Sequence, residues 1–346
     1  MKNCTLLLSF TALLFVFSAW PVSGAEPETS GQPVYGPQLE DFAYPYPVKY
    51  FTANSQQQQL EMAYLDVPAK AGTANGQTMV LMHGKNFCAA TWEGSIKALS
   101  AAGYRVIAPD QIGFCKSAKP RQYQFSFHQL AANTRALLDK LKIADVTVMG
   151  HSMGGMLATR FALQYPDMTN TLVMVNPIGL EDWKALGVPY RTIDEWYQRA
   201  LNTSADGIRN YQRNTYYAGQ WRDEFEPWVQ MQAGMFRGEG REQVAWNSAL
   251  TADMIFTQPV VYEFPQLKMP VILLIGDQDN TAIGKDAAPK ELQPKLGNYA
   301  KLGPAAAAAI PNAQLIRFAD LGHSPHIQTP ERFHQALLQA LVAETQ

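Results

Sequence analysis

Charge is scarce in this chain, and so is cysteine. Only 17% of its 346 residues are Asp, Glu, Lys or Arg, against about 25% in an average globular protein. The 28 basic and 30 acidic residues leave a formal net charge of −2, and no basic block stands out. A nucleic-acid binder needs a cationic face to neutralise phosphates, so no nucleic-acid partner is expected. Three cysteines, Cys4, Cys88 and Cys115, are too few for a disulfide scaffold and lack the spacing of metal ligands. No residue pattern calls for a metal or an organic cofactor. The charge-poor chain is not a disordered one: 47% hydrophobic and 11% aromatic residues can bury a sizeable core. At roughly 150 residues per domain, the length allows two structural units or one large α/β domain with an insertion.

An apolar run opens the chain. Leu6–Phe17 is broken only by Ser9 and Thr11, preceded by Lys2 and followed by the small residues Val22-Ser23-Gly24-Ala25. Its length falls short of the ~20 residues of a membrane-spanning helix but suits the core of a signal peptide. Residues 1–25 are therefore expected to be cleaved, leaving a periplasmic or secreted protein that starts near Glu26 and keeps no stable membrane anchor. In such an oxidising compartment Cys88 and Cys115 can be bridged.

Pro27, Pro33, Pro37, Pro45 and Pro47, with several tyrosines, suggest an extended N-terminal arm over residues 26–47. Two strands are expected between Val48 and Val67, around a polar Ala53–Gln59 stretch. Strand-like and helical runs then alternate. Thr78–Met82, Arg105–Ala108, Val146–Met149 and Thr171–Val175 read as strands; Trp92–Ala102, Phe127–Leu141 and Met153–Tyr165 read as helices. Such alternation predicts a mostly parallel sheet with helices on both faces. It stops over 178–259, where no convincing strand occurs and five of the seven tryptophans lie (Trp183, Trp196, Trp221, Trp228, Trp246); this segment is expected to be a helical insertion. Strands return at Val271–Ile275 and Gln314–Phe318, separated by a long 281–312 connection containing Ala305–Ala309, and a helix over Pro330–Val342 ends the pattern.

Chemistry concentrates where strands end. Gly150-His151-Ser152-Met153-Gly154 is a G-x-S-x-G match set between a buried-type strand and a helix, the setting of a nucleophile elbow. A serine hydroxyl is a poor nucleophile at neutral pH and needs a base, which needs an orienting acid. In this architecture the partners follow in the order Ser, acid, His, each just past a strand. The first such position offers Asp277 and Asp279, with Asp279 favoured and Asp277 left to cap the loop. The second offers His323 and His326, with His323 favoured and His326 expected to pack behind it. His83 and His151 flank the site in structural roles. The oxyanion is assigned to the backbone N–H of Met153 and of Lys85, with Asn86 as the substitute for the latter. The Lys85 side chain either faces solvent or lies near the pocket.

His83-Gly84, Pro109-Asp110-Gln111-Ile112-Gly113, the Gly150–Gly155 elbow, Gly276-x-x-Asp279 and Gly322-His323 together resemble the α/β-hydrolase family, over nearly all of 48–343. The resemblance implies an eight-stranded sheet whose core spans 48–177 and 260–346, with a helical cap, 178–259, inserted after the sixth strand. It implies Ser152 as nucleophile, Asp279 as acid and His323 as base. Relatives commonly carry Gly where this chain has Cys115; in the family the strands before Cys88 and Cys115 are neighbours, which implies a Cys88–Cys115 disulfide bracing the oxyanion loop. Epoxide- and halide-displacing members carry Asp at the elbow, so Ser152 points to acyl-enzyme hydrolysis of an ester-type bond. The aromatic cap favours a small-molecule substrate with an apolar or aromatic acyl group. Carbon–carbon hydrolysis of dienoic ketoacids, with Arg191 holding a carboxylate, is the alternative, and a non-catalytic ligand-binding protein a more distant one. Arg209, Arg213 and Arg222 are expected on a solvated face.

Overall fold

Eight strands form one sheet: β1 (Val48–Ser55), β2 (Gln58–Val67), β3 (Thr78–Met82), β4 (Arg105–Pro109), β5 (Val146–His151), β6 (Thr169–Val175), β7 (Val271–Gly276) and β8 (Ala313–Phe318). This is a computed structural model, and it describes Met1 and residues 31–343. Apart from Met1, the expected signal peptide and the first residues of the arm lie outside that range. The unit that begins at Pro33 holds everything below.

The strand order is β1-β2-β4-β3-β5-β6-β7-β8. The pairs β1·β2 and β2·β4 are antiparallel, and all others are parallel. A parallel strand covered on both faces reads as a continuous apolar run, and every residue of β5 and β7 is buried. Alternate side chains feed two cores. Met79 and Leu81 of β3 join Ile96, Leu99, Phe333 and Leu337 on one face; Val80 and Met82 join Leu130, Leu137 and Phe161 on the other.

The helices are α1 (Glu93–Ala101), α2 (Phe127–Lys140), α3 (Met153–Gln164), α4 (Ile193–Leu201), α5 (Ala205–Tyr211), α6 (Glu226–Arg237), α7 (Arg241–Thr257), α8 (Tyr299–Ala309), α9 (Pro325–Gln328) and α10 (Pro330–Ala343). α4 to α7 lie between β6 and β7 in the chain. The first of them carries an explicit start signal: a capping box opens α4, where Thr192 Oγ1 accepts from Glu195 N–H and Glu195 Oε2 accepts from Thr192 N–H.

Three local expectations need correction. The Ala53–Gln59 stretch is mostly strand, because main-chain pairing of Asn54 with Gln59 and Ser55 with Gln58 does not need apolar side chains at a sheet edge. The turn is only Gln56-Gln57, both with positive φ (50° and 60°), the backbone a two-residue hairpin demands. Within the 281–312 connection, the alanine run forms the second half of α8, with Pro304 inside the helix just before it; five successive alanines are the best helix formers to carry the helix past that position. The described part of the arm does more than cross the surface: Leu39 is fully buried, Tyr35 N–H donates to Gly234 O, and Tyr44 Oη–H donates to Asp110 Oδ2 (2.7 Å).

Candidate active site

Ser152 joins β5 to α3 with φ 58° and ψ −122°, a backbone that an L-residue holds only under constraint. Its neighbours show why the turn closes. A Cβ on Gly150 would lie 2.0 Å from Gly154 O, and one on Gly154 would lie 2.0 Å from Met82 O. Only glycine at both positions lets β5 fold back into α3 beside β3. Ser152 N–H donates to Val175 O (3.1 Å), and Ile178 N–H and Gly155 N–H donate to Ser152 O, which locks the bend. The Ser152 residue is 6% exposed.

The expected acid and base lie together. His323 Nδ1 lies 2.6 Å from Asp279 Oδ2, and both side chains are fully buried. The remaining ring nitrogen, His323 Nε2, has no protein partner among the described residues. His151 ties the His323 backbone to the elbow by donating from Nε2 to the His323 main-chain carbonyl (2.8 Å). Asp277 points elsewhere: it pairs with Arg317 on β8 (2.8 Å). His326 sits behind, its ring 4.6 Å from His151 and 4.7 Å from Trp92. His83 accepts from Gln111 N–H at Nε2 and donates from Nδ1 to Gly84 O. Burial penalises the imidazolium form and pushes the His83, His151 and His326 rings below the ordinary histidine value.

Two residues around Asp279 escaped the reading of the sequence. Asn176, just past β6, donates from Nδ2 to Asp279 Oδ2 (3.0 Å) while its Oδ1 accepts from Gly276 N–H (2.9 Å). Thr281 donates to Asp279 Oδ1 from both Oγ1 (2.6 Å) and N–H (2.8 Å). Both carboxylate oxygens are thus fully engaged. The available signal was Asn176's place at a strand's carboxyl end before Pro177, where this architecture gathers functional groups.

The loop after β3 passes directly beside Ser152: a Cβ on Gly84 would be 3.0 Å from Ser152 Cβ. Lys85 N–H has no acceptor among the described residues, and Met153 opens α3, where a backbone N–H has no partner within the helix. Asn86 turns its side chain toward the cap, donating to Tyr216 Oη (2.8 Å) and accepting from Gln232. The Lys85 side chain does not face solvent. Its Nζ donates to Ser248 O and Oγ (2.8 Å each) and lies 3.4 Å from Thr251 Oγ1, and burial pushes the amine down to about 7. Cys88 and Cys115 form a disulfide that ties this loop to the one after β4. With Asp110 these two make up a three-residue cluster of metal-ligand type. The sulfurs are bonded to each other, and the Asp110 oxygens accept from Ala89 N–H, Tyr44 and Lys116 N–H.

The cap meets the histidine loop through its backbone. Residues Gln212–Tyr216 form a π-turn, and Thr215 O and Tyr216 O accept from His323 N–H and Ser324 N–H. Tyr216 places its ring 4.9 Å from that of His323. Between the cap and the loop after β7 opens a cleft of about 670 Å³, with Trp196, Arg199, Tyr211, Thr215, Asn280 and Asp286 on its walls. A smaller chamber of about 50 Å³ lies beyond Lys85, under α6 and α7. Arg191, the expected carboxylate holder, is already paired with Asp286 (2.7 Å). Arg209 pairs with Glu226 and Asp206 and is only partly exposed, whereas Arg222, over the Phe225 ring, and Arg213 are exposed. Most cap rings pack rather than line the cleft: Trp183, Tyr217 and Phe225 are buried.

Similarity to known proteins agrees with this architecture. A solved structure described as a probable hydrolytic enzyme from Pseudomonas aeruginosa PAO1 is 68% identical, covers 90% of this chain and 99% of its own, and superposes with a TM-score of 0.88. An uncharacterized protein of Mycobacterium tuberculosis is 39% identical over 106 residues, 31% of this chain and 30% of that one. A 2-hydroxy-6-oxo-6-phenylhexa-2,4-dienoate hydrolase of Burkholderia cepacia is 35% identical over 108 residues, 30% of this chain and 38% of that one. The match thus spans only about a third of the length of these two curated relatives. The family model for the alpha/beta hydrolase fold matches residues 77–330, from the approach to β3 as far as the start of α10. Sheet order, elbow and sequence match converge, and the chain belongs to the α/β-hydrolase family.

Proposed function

We propose that this chain is an exported serine hydrolase that cleaves an ester-type bond through an acyl-enzyme on Ser152. The observation that carries the reading is the fully buried 2.6 Å contact between His323 Nδ1 and Asp279 Oδ2, beside a serine held at a constrained strand-to-helix turn. In this mechanism Asp279 fixes the ring orientation and tautomer of His323, leaving Nε2 to accept the Ser152 proton. Ser152 Oγ attacks the carbonyl carbon, and the developing oxyanion is met by the N–H groups of Lys85 and Met153. Collapse breaks the C–O bond, and the imidazolium returns its proton to the departing alcohol. Water then repeats the cycle on the acyl-enzyme and releases the acid.

A serine at the elbow, rather than a carboxylate, supports an acyl-enzyme over halide or epoxide displacement. The occupied ion pair of Arg191 weighs against the dienoic ketoacid alternative in its original form. The outer cleft, open to solvent between cap and core, suits departure of the alcohol. The test is turnover of a short-chain p-nitrophenyl ester, with and without a serine-directed phosphonate. Wild type should turn over and be inactivated, and Ser152→Ala should lose at least about 10³-fold in kcat. Turnover that survives the substitution would falsify the mechanism.

A further inference from the structure

Resting on the esterase reading, we propose that the inner chamber seats a carboxylate carried by the acyl part of the substrate, with Lys85 Nζ as its counter-charge. Two lysines line this chamber, Lys85 and Lys119. The Lys85 amine is held by the neutral oxygens of Ser248 and Thr251, and the Lys119 amine by the carbonyls of Cys115 (2.6 Å) and Ser117 (3.4 Å). Among the described residues neither amine has a carboxylate within ion-pair distance. Asp110 and Glu40 act on Lys119 only from further away. Burying an ammonium without a counter-ion is costly, and here burial pushes both amines down to about 7. Three other cations of this region contrast with this: Arg191, Arg199 and Arg209 all have carboxylate partners. An anion entering the chamber supplies what the protein leaves out.

Geometry narrows the class of ligand. The walls are apolar (Phe87, Phe114, Met235, Phe236), and about 50 Å³ admits a compact group rather than a ring or a long chain. Lys85 lines both this chamber and the outer cleft, one residue from the glycine that touches Ser152. In the proposed seat, a short apolar stem joins the carboxylate on this amine to the scissile carbonyl. The substrate class that fits is the half-ester of a short dicarboxylic acid, its alcohol leaving through the open cleft.

The test compares mono-p-nitrophenyl glutarate with p-nitrophenyl valerate on one enzyme, so that any general loss of activity cancels in the ratio. Wild type should prefer the glutarate half-ester at least about 10-fold in kcat/KM. Lys85→Met should abolish the preference, and Lys85→Arg should keep part of it. A wild-type preference for valerate, or a preference untouched by Lys85→Met, overturns the seat. Calorimetry of free glutarate on Ser152→Ala protein separates the two readings. Glutarate binding with no ester turnover by wild type supports the seat and sinks the esterase. Valerate turnover without glutarate binding does the reverse.

Discussion

Asp279 shows how much a single side chain depends on neighbours that the chain brings from afar. Its carboxylate accepts from His323, Asn176 and Thr281, contributed by the loops after β8, β6 and β7. Asn176 adopts φ 37°, a left-handed backbone that asparagine tolerates better than most residues, and this sets its amide on Asp279 and Gly276 at once. Asn176→Asp tests this positioning role. A second carboxylate beside Asp279 favours the protonated imidazole, so the acid limb of the kcat/KM profile should move to higher pH by about one unit. A profile that stays in place while only the folded fraction falls would reduce Asn176 to a structural residue. At this scale the sequence already offered Ser152, and it confined the acid and the base to two pairs. Asp277 and Asp279 both follow β7, and the sequence favoured Asp279 while leaving Asp277 to cap the loop. In the structure Arg317 on the neighbouring strand pairs with Asp277, and Asp279 meets His323.

The element that joins cap to chemistry is the Gln212–Tyr216 π-turn. Its carbonyls accept from the backbone N–H groups of His323 and Ser324, and its Tyr216 hydroxyl accepts from Asn86 of the loop after β3. One turn of the cap thus contacts both proposed arms of the catalytic machinery. The approach is close: a Cβ on Gly322 would stand 2.6 Å from Tyr216 O and 2.9 Å from Ala218 N. Both are backbone atoms that cannot rotate aside. Gly322→Ala should therefore shift the histidine loop off the π-turn and lower kcat at least about 100-fold, the scale of loss expected for a misplaced reacting group. KM should change far less. Equal kcat for the variant and wild type would show that cap and histidine loop are not coupled. Helical periodicity and strand runs announced most elements of the core. The π-turn had no such signature, because its extra residue per turn is stabilised by partners on another loop rather than by its own side chains.

At the scale of the whole molecule, buried histidines set the response to acid. His83, His151, His326 and His334 are all shifted downward by burial, His334 to about 4 from an ordinary value of 6.5. The unfolded chain takes up protons near 6.5, while the folded chain resists them until far lower pH. Stability is therefore full above about 6.5 and is lost as pH falls from there toward 4. His334 alone accounts for on the order of 3 kcal/mol of that loss. Urea midpoints measured across this range should be level above pH 7 and fall between 6.5 and 4, and His326→Phe should flatten the descent. A wild-type midpoint that does not change down to pH 4.5 would contradict the shifts. Carboxylates held low by ion pairs, such as Asp66 beside Arg105 and Lys49, come into play only at lower pH.

What the sequence determined by itself was the architecture and the chemical vocabulary. Buried strands advertise themselves as apolar runs, amphipathic helices as a period, and a nucleophile elbow as glycines that no other residue can replace; each is a short-range constraint written in contiguous residues. Tertiary structure alone decided that Asn176 and Thr281 complete the carboxylate's shell, that Arg191 is already paired with Asp286, and that Lys85 turns its amine onto Ser248 of α7. The physical reason is one of range. Hydrogen bonds and burial act over a few ångströms in space, and the groups that meet there are separated by tens to well over a hundred residues along the chain.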